Sequence, residues 1–222
     1  MKLVNPSLNL DFQELEDGSL LIVESSSLFY KIVLGLKNQI ENNIGDFILS
    51  KDFKPLDMRK NSLLIIDPLS FDPNEKKIEN EINKLVLQEA LDEGHYEETS
   101  KIISILEEYT DTLAFDFNGN ITTKKEVEIS SVIKMLSFQV ETYCETFQGK
   151  LFESLLAFNK YLGINLFFFV NLLNFLEREE FEELSLSLKR EGISLFLIEA
   201  KEPKYKIDCF NKVIIDSDLC QF

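Results

Sequence analysis

The sequence predicts an α/β fold with a mainly parallel sheet and an inserted helical arm. Three observations lead to this prediction. Short apolar runs lie towards both ends of the chain, several of them end in a polar residue, and the middle of the chain has only helical periodicity. Runs that are apolar on both faces are typical of parallel strands that helices cover on each side of a sheet.

Five strands and two helices are predicted outside the middle of the chain. The helix over 27–40 places Leu28, Ile32 and Leu36 on one face. The helix over 177–190 has acidic residues in its first turn and basic residues in its last turn, an order that suits the helix dipole. The predicted strands are 20–24, 62–67, 165–171, 193–199 and 211–216.

The middle of the chain, from about residue 78 to residue 161, contains no proline and no strand-like run. Its apolar residues recur every three or four positions, which predicts helices with narrow apolar stripes of the kind found in coiled coils. A turn is predicted at Gly94 and another at 117–120, and an interruption is predicted at 137–141. The stripes are Ile78, Ile82, Leu85; Ile102, Leu106, Tyr109, Leu113; Ile129, Val132, Leu136; and Phe147, Leu151, Leu155, Phe158.

The domain organisation follows from this contrast between the ends and the middle. We expect residues 1–77 to form the first part of an α/β head and residues 162–222 to form its second part. Residues 78–161 are expected to form the helical arm, with coiled-coil character.

Charge is distributed unevenly along the chain. The 222 residues include 23 Lys or Arg and 39 Asp or Glu, which gives a net charge of -16 and excludes indiscriminate coating of nucleic acid. Residues 79–155 hold six of the basic and sixteen of the acidic residues, so most of the excess belongs to the arm. Basic residues cluster at 51–60 and at 124–125. In a symmetric oligomer such clusters are repeated around the axis and focus a positive field on a central opening.

The chain has no sequence signal for export or membrane insertion. Its first residues lack the apolar run of a signal peptide. The most apolar stretch, 162–176, contains three asparagines and is shorter than the roughly 20 residues that a bilayer requires. The cysteines, Cys144, Cys209 and Cys220, are scattered and form no C-x-x-C pair. We therefore expect a cytoplasmic protein without a membrane partner.

Catalytic motifs are present only in part. The turn at 24–27 has neither the glycines nor the lysine of a phosphate-binding loop, so no nucleotide is expected. Glu199-Ala200-Lys201 after an apolar strand is half of a metal-dependent nuclease signature, but the acids upstream lie on a predicted helix. A nuclease that uses Glu199 and Lys201 stays an alternative. The single histidine, His95, lies in an acidic turn and is expected to be exposed.

Polar residues end the predicted strands. Two interpretations are open: they gather at a ligand site at the carboxyl edge of the sheet, or they only cap loops. The strand-end residues are Glu24, Asp67, Asn171, Glu199 and Asp216. In the arm, Asp116, Asn118 and Asn120 alternate as in a calcium loop, but the remaining acidic ligands are absent.

Taken in order, several segments resemble a known family, the CRISPR-associated spacer-acquisition ring proteins of type II-A systems. The matching segments are 18–24, 63–74, 166–171, 176–183, 195–199 and 214–216. The resemblance implies a degenerate P-loop-ATPase-like head and a homotetrameric ring without catalytic activity. The ring takes double-stranded DNA, especially its ends, through a central hole. The implied partners are the CRISPR integrase and the RNA-guided effector nuclease, in adaptation for antiviral defence.

A protein that acts in adaptation only as a protein-binding scaffold is a further alternative to DNA binding.

The resemblance also implies that particular basic side chains contact DNA. The candidate DNA-binding residues are Lys51, Lys54, Arg59, Lys60, Lys124, Lys125 and Lys134.

Calcium is where the sequence departs from the family. The family sets the arm geometry with calcium, bound by an acidic run that corresponds to 118–131. Here Glu126 coincides with a family acid, Glu128 is a second candidate ligand, and Ser131 stands where a carboxylate is expected. Either calcium binds elsewhere or more weakly, or Lys124 and Lys125 replace its charge by pairing with acids. We favour the second alternative because a cation beside carboxylates satisfies the same electrostatics.

Overall fold

A computed structural model describes residues 1–117, 121–122, 126–207 and 210–222 of the chain. The chain divides into two units. Unit 1 consists of residues 1–73 and 142–222, and unit 2 of residues 74–141.

The described residues form strands and helices, and the strands lie towards both ends of the chain. In chain order the strands are β1 (Lys2–Asn5), β2 (Leu10–Phe12), β3 (Ser19–Val23), β4 (Ile48–Lys51), β5 (Lys54–Leu56), β6 (Ser62–Ile65), β7 (Leu166–Val170), β8 (Ser194–Glu199) and β9 (Asn211–Ile215). The α-helices are α1 (Ser26–Asn42), α2 (Met58–Asn61), α3 (Lys76–Ala90), α4 (Tyr96–Asp116), α5 (Ile129–Leu136), α6 (Phe147–Leu162) and α7 (Arg178–Arg190).

A five-stranded parallel sheet forms the centre of unit 1. Its order is β6-β7-β8-β3-β9, and every neighbouring pair is parallel. All residues of β3, β7 and β8 are buried, as their continuous apolar sequences predict. The five predicted strands and the α/β class are therefore confirmed.

A second, antiparallel sheet of four strands was not predicted from the sequence. Its order is β2-β1-β4-β5. Its strands are three or four residues long and each contains half-buried or exposed positions, so none of them forms the continuous apolar run that marks a buried strand.

Three aromatic rings connect the two sheets of unit 1. Phe12 of β2 meets Phe196 of β8 edge-on, with 4.7 Å between the ring centroids. Phe196 lies opposite Phe168 of β7 in the ladder, with 5.2 Å between their centroids. Such pairs add to the free energy gained by burial alone. This aromatic row therefore fixes the antiparallel sheet to the parallel one.

Unit 2 is helical over the residues that are described. The buried residues Ile78 and Ile82 of α3 lie on a predicted stripe, and α3 packs against α5. The buried residue of α5 is Ile133, which is not on the predicted stripe of Ile129, Val132 and Leu136, and Leu136 is exposed. Helix α4 buries only Thr99 among its residues. The predicted turn at Gly94 separates α3 from α4, where His95 is exposed as expected.

Helix α6 belongs to unit 1, although the sequence-based ranges assigned it to the arm. It buries Leu151, Leu155 and Phe158 and packs against α7. The interruption predicted at 137–141 is confirmed, because α5 ends at Leu136 and α6 begins at Phe147. Within the described residues, no helix combines the length and apolar character needed to cross a bilayer.

Candidate nucleic-acid interface

Two of the predicted DNA-binding lysines face each other across a β-hairpin. Lys51 ends β4, Lys54 begins β5, and the two residues are directly paired in the ladder. Only Asp52 and Phe53 lie between them, with φ angles of 50° and 61°. Positive φ at both loop positions is typical of a type I′ turn, whose twist matches that of the two strands.

The pairing of Lys51 with Lys54 is electrostatically unfavourable. Like charges directly opposite in a sheet destabilise it, and both side chains are exposed. Neither lysine forms an ion pair with any residue that the structure describes. The hairpin therefore presents two ammonium groups side by side, neither of which has an ion-pair partner among the described residues.

The other two basic residues of the segment lie on the short helix α2. Asp57 caps this helix by accepting a hydrogen bond from the backbone N–H of Arg59 at 3.0 Å. Met58 is buried and anchors the turn, while Arg59 and Lys60 are exposed. The described residues supply no salt-bridge partner to either of them. Residues 51–60 thus form a basic segment with four available cations.

An acid from outside this segment, Glu16, lies within electrostatic range of Lys51. Burial acts to raise the pKa of Glu16, but the bond from the Met1 ammonium and the charges of that group and of Lys51 lower it overall. The Glu16 carboxylate is thus already bonded to the amino terminus. It modulates the field at Lys51 without pairing with it.

The remaining predicted DNA-binding residues belong to unit 2. Lys124 and Lys125 lie outside the described residues. Lys134 is exposed on α5 and lines a cavity of 180 Å³ beside Lys84, Asn83 and Ser130. Lys84 was not among the predicted residues, because no other basic residue lies near it in the sequence.

Glu126 and Glu128 are both exposed, and Glu128 accepts a hydrogen bond from the Ser130 hydroxyl at 3.4 Å. Calcium takes six to eight oxygen ligands. Among the residues described, no three acidic, His or Cys side chains gather as metal ligands would. These two carboxylates therefore do not make up a calcium site by themselves, and calcium binding stays a prediction.

The strand-end residues of the parallel sheet cap loops. Asp67 accepts a hydrogen bond from the N–H of Leu69, and Asp216 accepts from Asp218 and Cys220. Asn171 Oδ1 accepts from the N–H of Ala200 at 3.1 Å. These three side chains therefore cap loops, and a ligand site at this edge of the sheet stays a prediction.

Glu199 is the buried member of the set. Its side chain is 3% exposed, and its Oε1 accepts a hydrogen bond from the N–H of Leu173 at 3.1 Å. Burial raises its pKa to about 7, against a lowering effect of the N–H groups of Leu172 and Leu173. The Glu199 side chain caps the one-turn helix Leu172–Asn174 and is held there by the backbone N–H groups of Leu173 and Leu172. Lys201, its partner in the nuclease motif, is exposed.

A cavity of 670 Å³ adjoins this residue at the carboxyl edge of the sheet. Its lining includes Asn171, Glu177, Glu199, Lys201 and Tyr205. The Tyr205 hydroxyl donates to the carbonyl of Leu176 at 3.1 Å, and burial and the nearby Glu199 raise its pKa to about 12. The phenol therefore keeps its proton at neutral pH and acts as a hydrogen-bond donor.

Replacing Glu199 with Gln is expected to make stability less dependent on pH. The folded carboxyl holds its proton up to about pH 7, whereas an unfolded one loses it near 4.5, so ionisation opposes folding. This cost is absent below pH 4.5, grows up to pH 7 and is complete above it. At pH 8 Glu199→Gln should raise the free energy of unfolding by up to about 3 kcal/mol.

Urea unfolding at pH 5 and pH 8 measures this effect. At pH 5 the gain in stability from the variant should be much smaller than at pH 8, because the folded carboxyl is then protonated and only the unfolded carboxyl, with its pKa of 4.5, has begun to ionise. An equal difference at the two pH values would contradict the assignment.

A protein-family model matches most of the chain. The family is described as CRISPR-associated protein (Cas_Csn2), and the match covers residues 39–219. The matched range includes the hairpin, α2, all of unit 2 and strands β6 to β9.

Proposed function

This chain belongs to the CRISPR-associated Csn2 family of type II-A spacer acquisition proteins, and on that premise we propose that it binds the ends of double-stranded DNA. The family gives it a role in CRISPR adaptation. In our proposal Lys and Arg side chains contact the phosphates and do not read bases. The residues proposed to make these contacts are Lys51, Lys54, Arg59, Lys60, Lys124, Lys125 and Lys134.

The observation that carries this proposal is the cross-strand pair Lys51–Lys54. Two ammonium groups on facing positions of a hairpin repel each other, and a phosphate between or beside them removes that repulsion. Arg59 and Lys60 follow within the same short segment and are likewise without a described ion-pair partner. Binding of this kind weakens steeply with salt and shows little sequence preference.

Replacing Lys54 with Glu is expected to move stability and DNA binding in opposite directions. The variant turns a repulsive cross-strand pair into an attractive one, so the free energy of unfolding should stay equal or rise by about 0.2–1 kcal/mol. DNA affinity should fall at the same time. Urea unfolding and a binding titration with a linear duplex measure the two effects. Loss of stability together with loss of binding would instead indicate that Lys54 is structural.

We further propose that the chain assembles into a homotetrameric ring. Support comes from α4, whose Ile102, Ile105, Tyr109 and Leu113 share one face and are all exposed. An apolar stripe of this length on a long helix suits a coiled-coil contact with a second copy. In a ring each basic segment is repeated around the axis.

Light scattering in the presence and absence of calcium determines the mass of the assembly and tests whether assembly needs the metal. Tetramers that form without calcium would support charge replacement by Lys124 and Lys125.

In this proposal the protein is not an enzyme. The carboxylate of Glu199 serves as a loop cap that backbone N–H groups hold in place, and this arrangement favours a structural role over metal-dependent cleavage. Incubation of plasmid and linear DNA with magnesium or manganese tests the nuclease alternative. Cleavage that Glu199→Gln abolishes would replace our proposal with that alternative.

The proposed partners are the CRISPR integrase and the RNA-guided effector nuclease of the same system, in the cytoplasm. The scaffold alternative differs in one respect that can be measured. A pure scaffold would bind another adaptation protein and show no affinity for DNA even at low salt, whereas we expect both kinds of binding.

A further inference from the structure

We propose that Phe53 stacks on the terminal base pair of a linear duplex, while Lys51 and Lys54 contact the phosphates nearest to that end. This inference rests on the proposed DNA binding and adds the group that distinguishes an end from the interior of a duplex. It assigns a ligand, the exposed face of a terminal base pair, to the tip of the β4–β5 hairpin.

The conformation of the tip is the first observation behind this inference. Asp52 and Phe53 both have positive φ angles, of 50° and 61°. Asn and Gly are the usual residues in such a turn, and positive φ is unfavourable for a bulky side chain. Strained residues of this kind cluster at ligand-binding sites.

The exposure of the ring is the second observation. Phe53 is fully exposed, so burial within its own chain does not compensate for the unfavourable backbone. The two-residue loop lies between two directly paired residues, Lys51 and Lys54. A loop this short fixes the backbone of Phe53, so the phenyl group is presented at the tip of the hairpin, beyond the two ammonium groups.

The charges around the ring decide between two possible occupants. A second copy of the chain, docking by an apolar surface, would have to desolvate Lys51, Asp52 and Lys54 around a single ring. A DNA end complements both parts of the tip, because a base pair offers a flat π surface and its phosphates offer negative charge. Stacking of bases on aromatic rings tolerates any sequence, which agrees with binding that does not read bases.

End preference follows directly from this geometry. The face of a base pair is accessible at an open end and is covered by its neighbour everywhere else. Phosphates are available along the whole duplex. Lysines alone would thus bind open and closed DNA similarly, whereas the phenyl group of Phe53 adds affinity only at an open end.

The test compares two duplexes of the same sequence, one with open blunt ends and one closed at both ends by hairpin loops. Both carry 2-aminopurine near the end, whose fluorescence reports stacking. We expect wild-type protein to prefer the open duplex and to change its fluorescence. Phe53→Ala should lower affinity for the open duplex by about 5-fold or more, remove the fluorescence change and leave affinity for the closed duplex unaltered. Phe53→Tyr should retain wild-type behaviour.

The matched control is Phe222→Ala, which removes another highly exposed phenylalanine of unit 1 and should change neither readout. Equal binding of the open duplex by wild type and Phe53→Ala would overturn the inference and leave the proposed function intact. A change of oligomeric mass in Phe53→Ala would also overturn the inference, because the phenyl group of Phe53 would then contact a second copy of the chain. Failure of the wild type to bind either duplex would overturn the proposed function itself.

Discussion

Charge reversal of the four cations in the 51–60 segment is expected to abolish binding of linear duplex DNA. The variant combines Lys51→Glu, Lys54→Glu, Arg59→Glu and Lys60→Glu. Four phosphate contacts account for about -3.6 of the slope of log K against log salt, since each contributes about -0.9. Because these contacts contribute little at 1 M salt, a slope of this size over the tenfold range down to 0.1 M corresponds to about 3.6 orders of magnitude in affinity, which the variant should lose. A salt titration by fluorescence anisotropy measures both the affinity and the slope.

A matched variant separates the position of the charges from their number. Lys150, Lys160, Arg190 and Lys206 are exposed residues of the same unit, and their replacement by Glu gives the same net charge. We expect this control to bind DNA with a slope close to that of the wild type. Both variants should keep the wild-type mass in light scattering. Equal losses in the two variants would mean that net charge, and not the 51–60 segment, controls binding.

Replacement of Phe168 with Ala is expected to lower the free energy of unfolding by about 3–5 kcal/mol. Phe168 is fully buried in β7 and contacts the ring of Phe196 on the neighbouring strand. Removing it leaves a cavity in the row Phe12–Phe196–Phe168, which holds the antiparallel sheet against the parallel one. Urea unfolding followed by circular dichroism measures the loss.

The graded variant Phe168→Leu tests whether the loss follows cavity size. Leu fills much of the space, so its cost should be smaller than that of Ala. Phe53→Ala, which removes a fully exposed ring, should leave stability nearly unchanged. A loss below about 1 kcal/mol for Phe168→Ala would contradict the role of the aromatic row, because that value is far under the range for buried phenylalanines.

The parallel sheet could be predicted because each of its strands is a distinct apolar run. The segment Leu166–Val170 is buried on both faces, and its sequence alone indicates this. The antiparallel sheet could not be predicted, because strands such as Lys54–Leu56 are too short to show a period. Their pairing is fixed by tertiary contacts, including the contact of Phe12 with Phe196.

The position of α6 shows a second limit. The spacing of Leu151, Leu155 and Phe158 predicts a helix with one buried face, and that helix is observed. Periodicity does not say what the buried face packs against. Here the partner is α7 of unit 1, which follows α6 after strand β7.

The candidate site could be predicted in composition but not in geometry. The four cations of 51–60 are visible in the sequence, yet the opposition of Lys51 and Lys54 depends on a two-residue loop. That loop, Asp52-Phe53, lacks the Asn-Gly pattern that marks such turns, so the sequence alone does not point to Phe53 as a site residue. Glu199 illustrates the reverse case, since its nuclease-like motif is visible while its capping of Leu173 appears only in the fold.

Equilibrium binding of the wild-type protein to linear and to covalently closed circular duplex, over a range of salt, tests the central claim most directly. We predict that the linear duplex binds more tightly, that log K falls linearly with log salt, and that base composition has little effect. Absence of binding to the linear duplex at about 50 mM salt, by protein that light scattering shows to be tetrameric, would contradict the claim that this chain holds DNA through its phosphates.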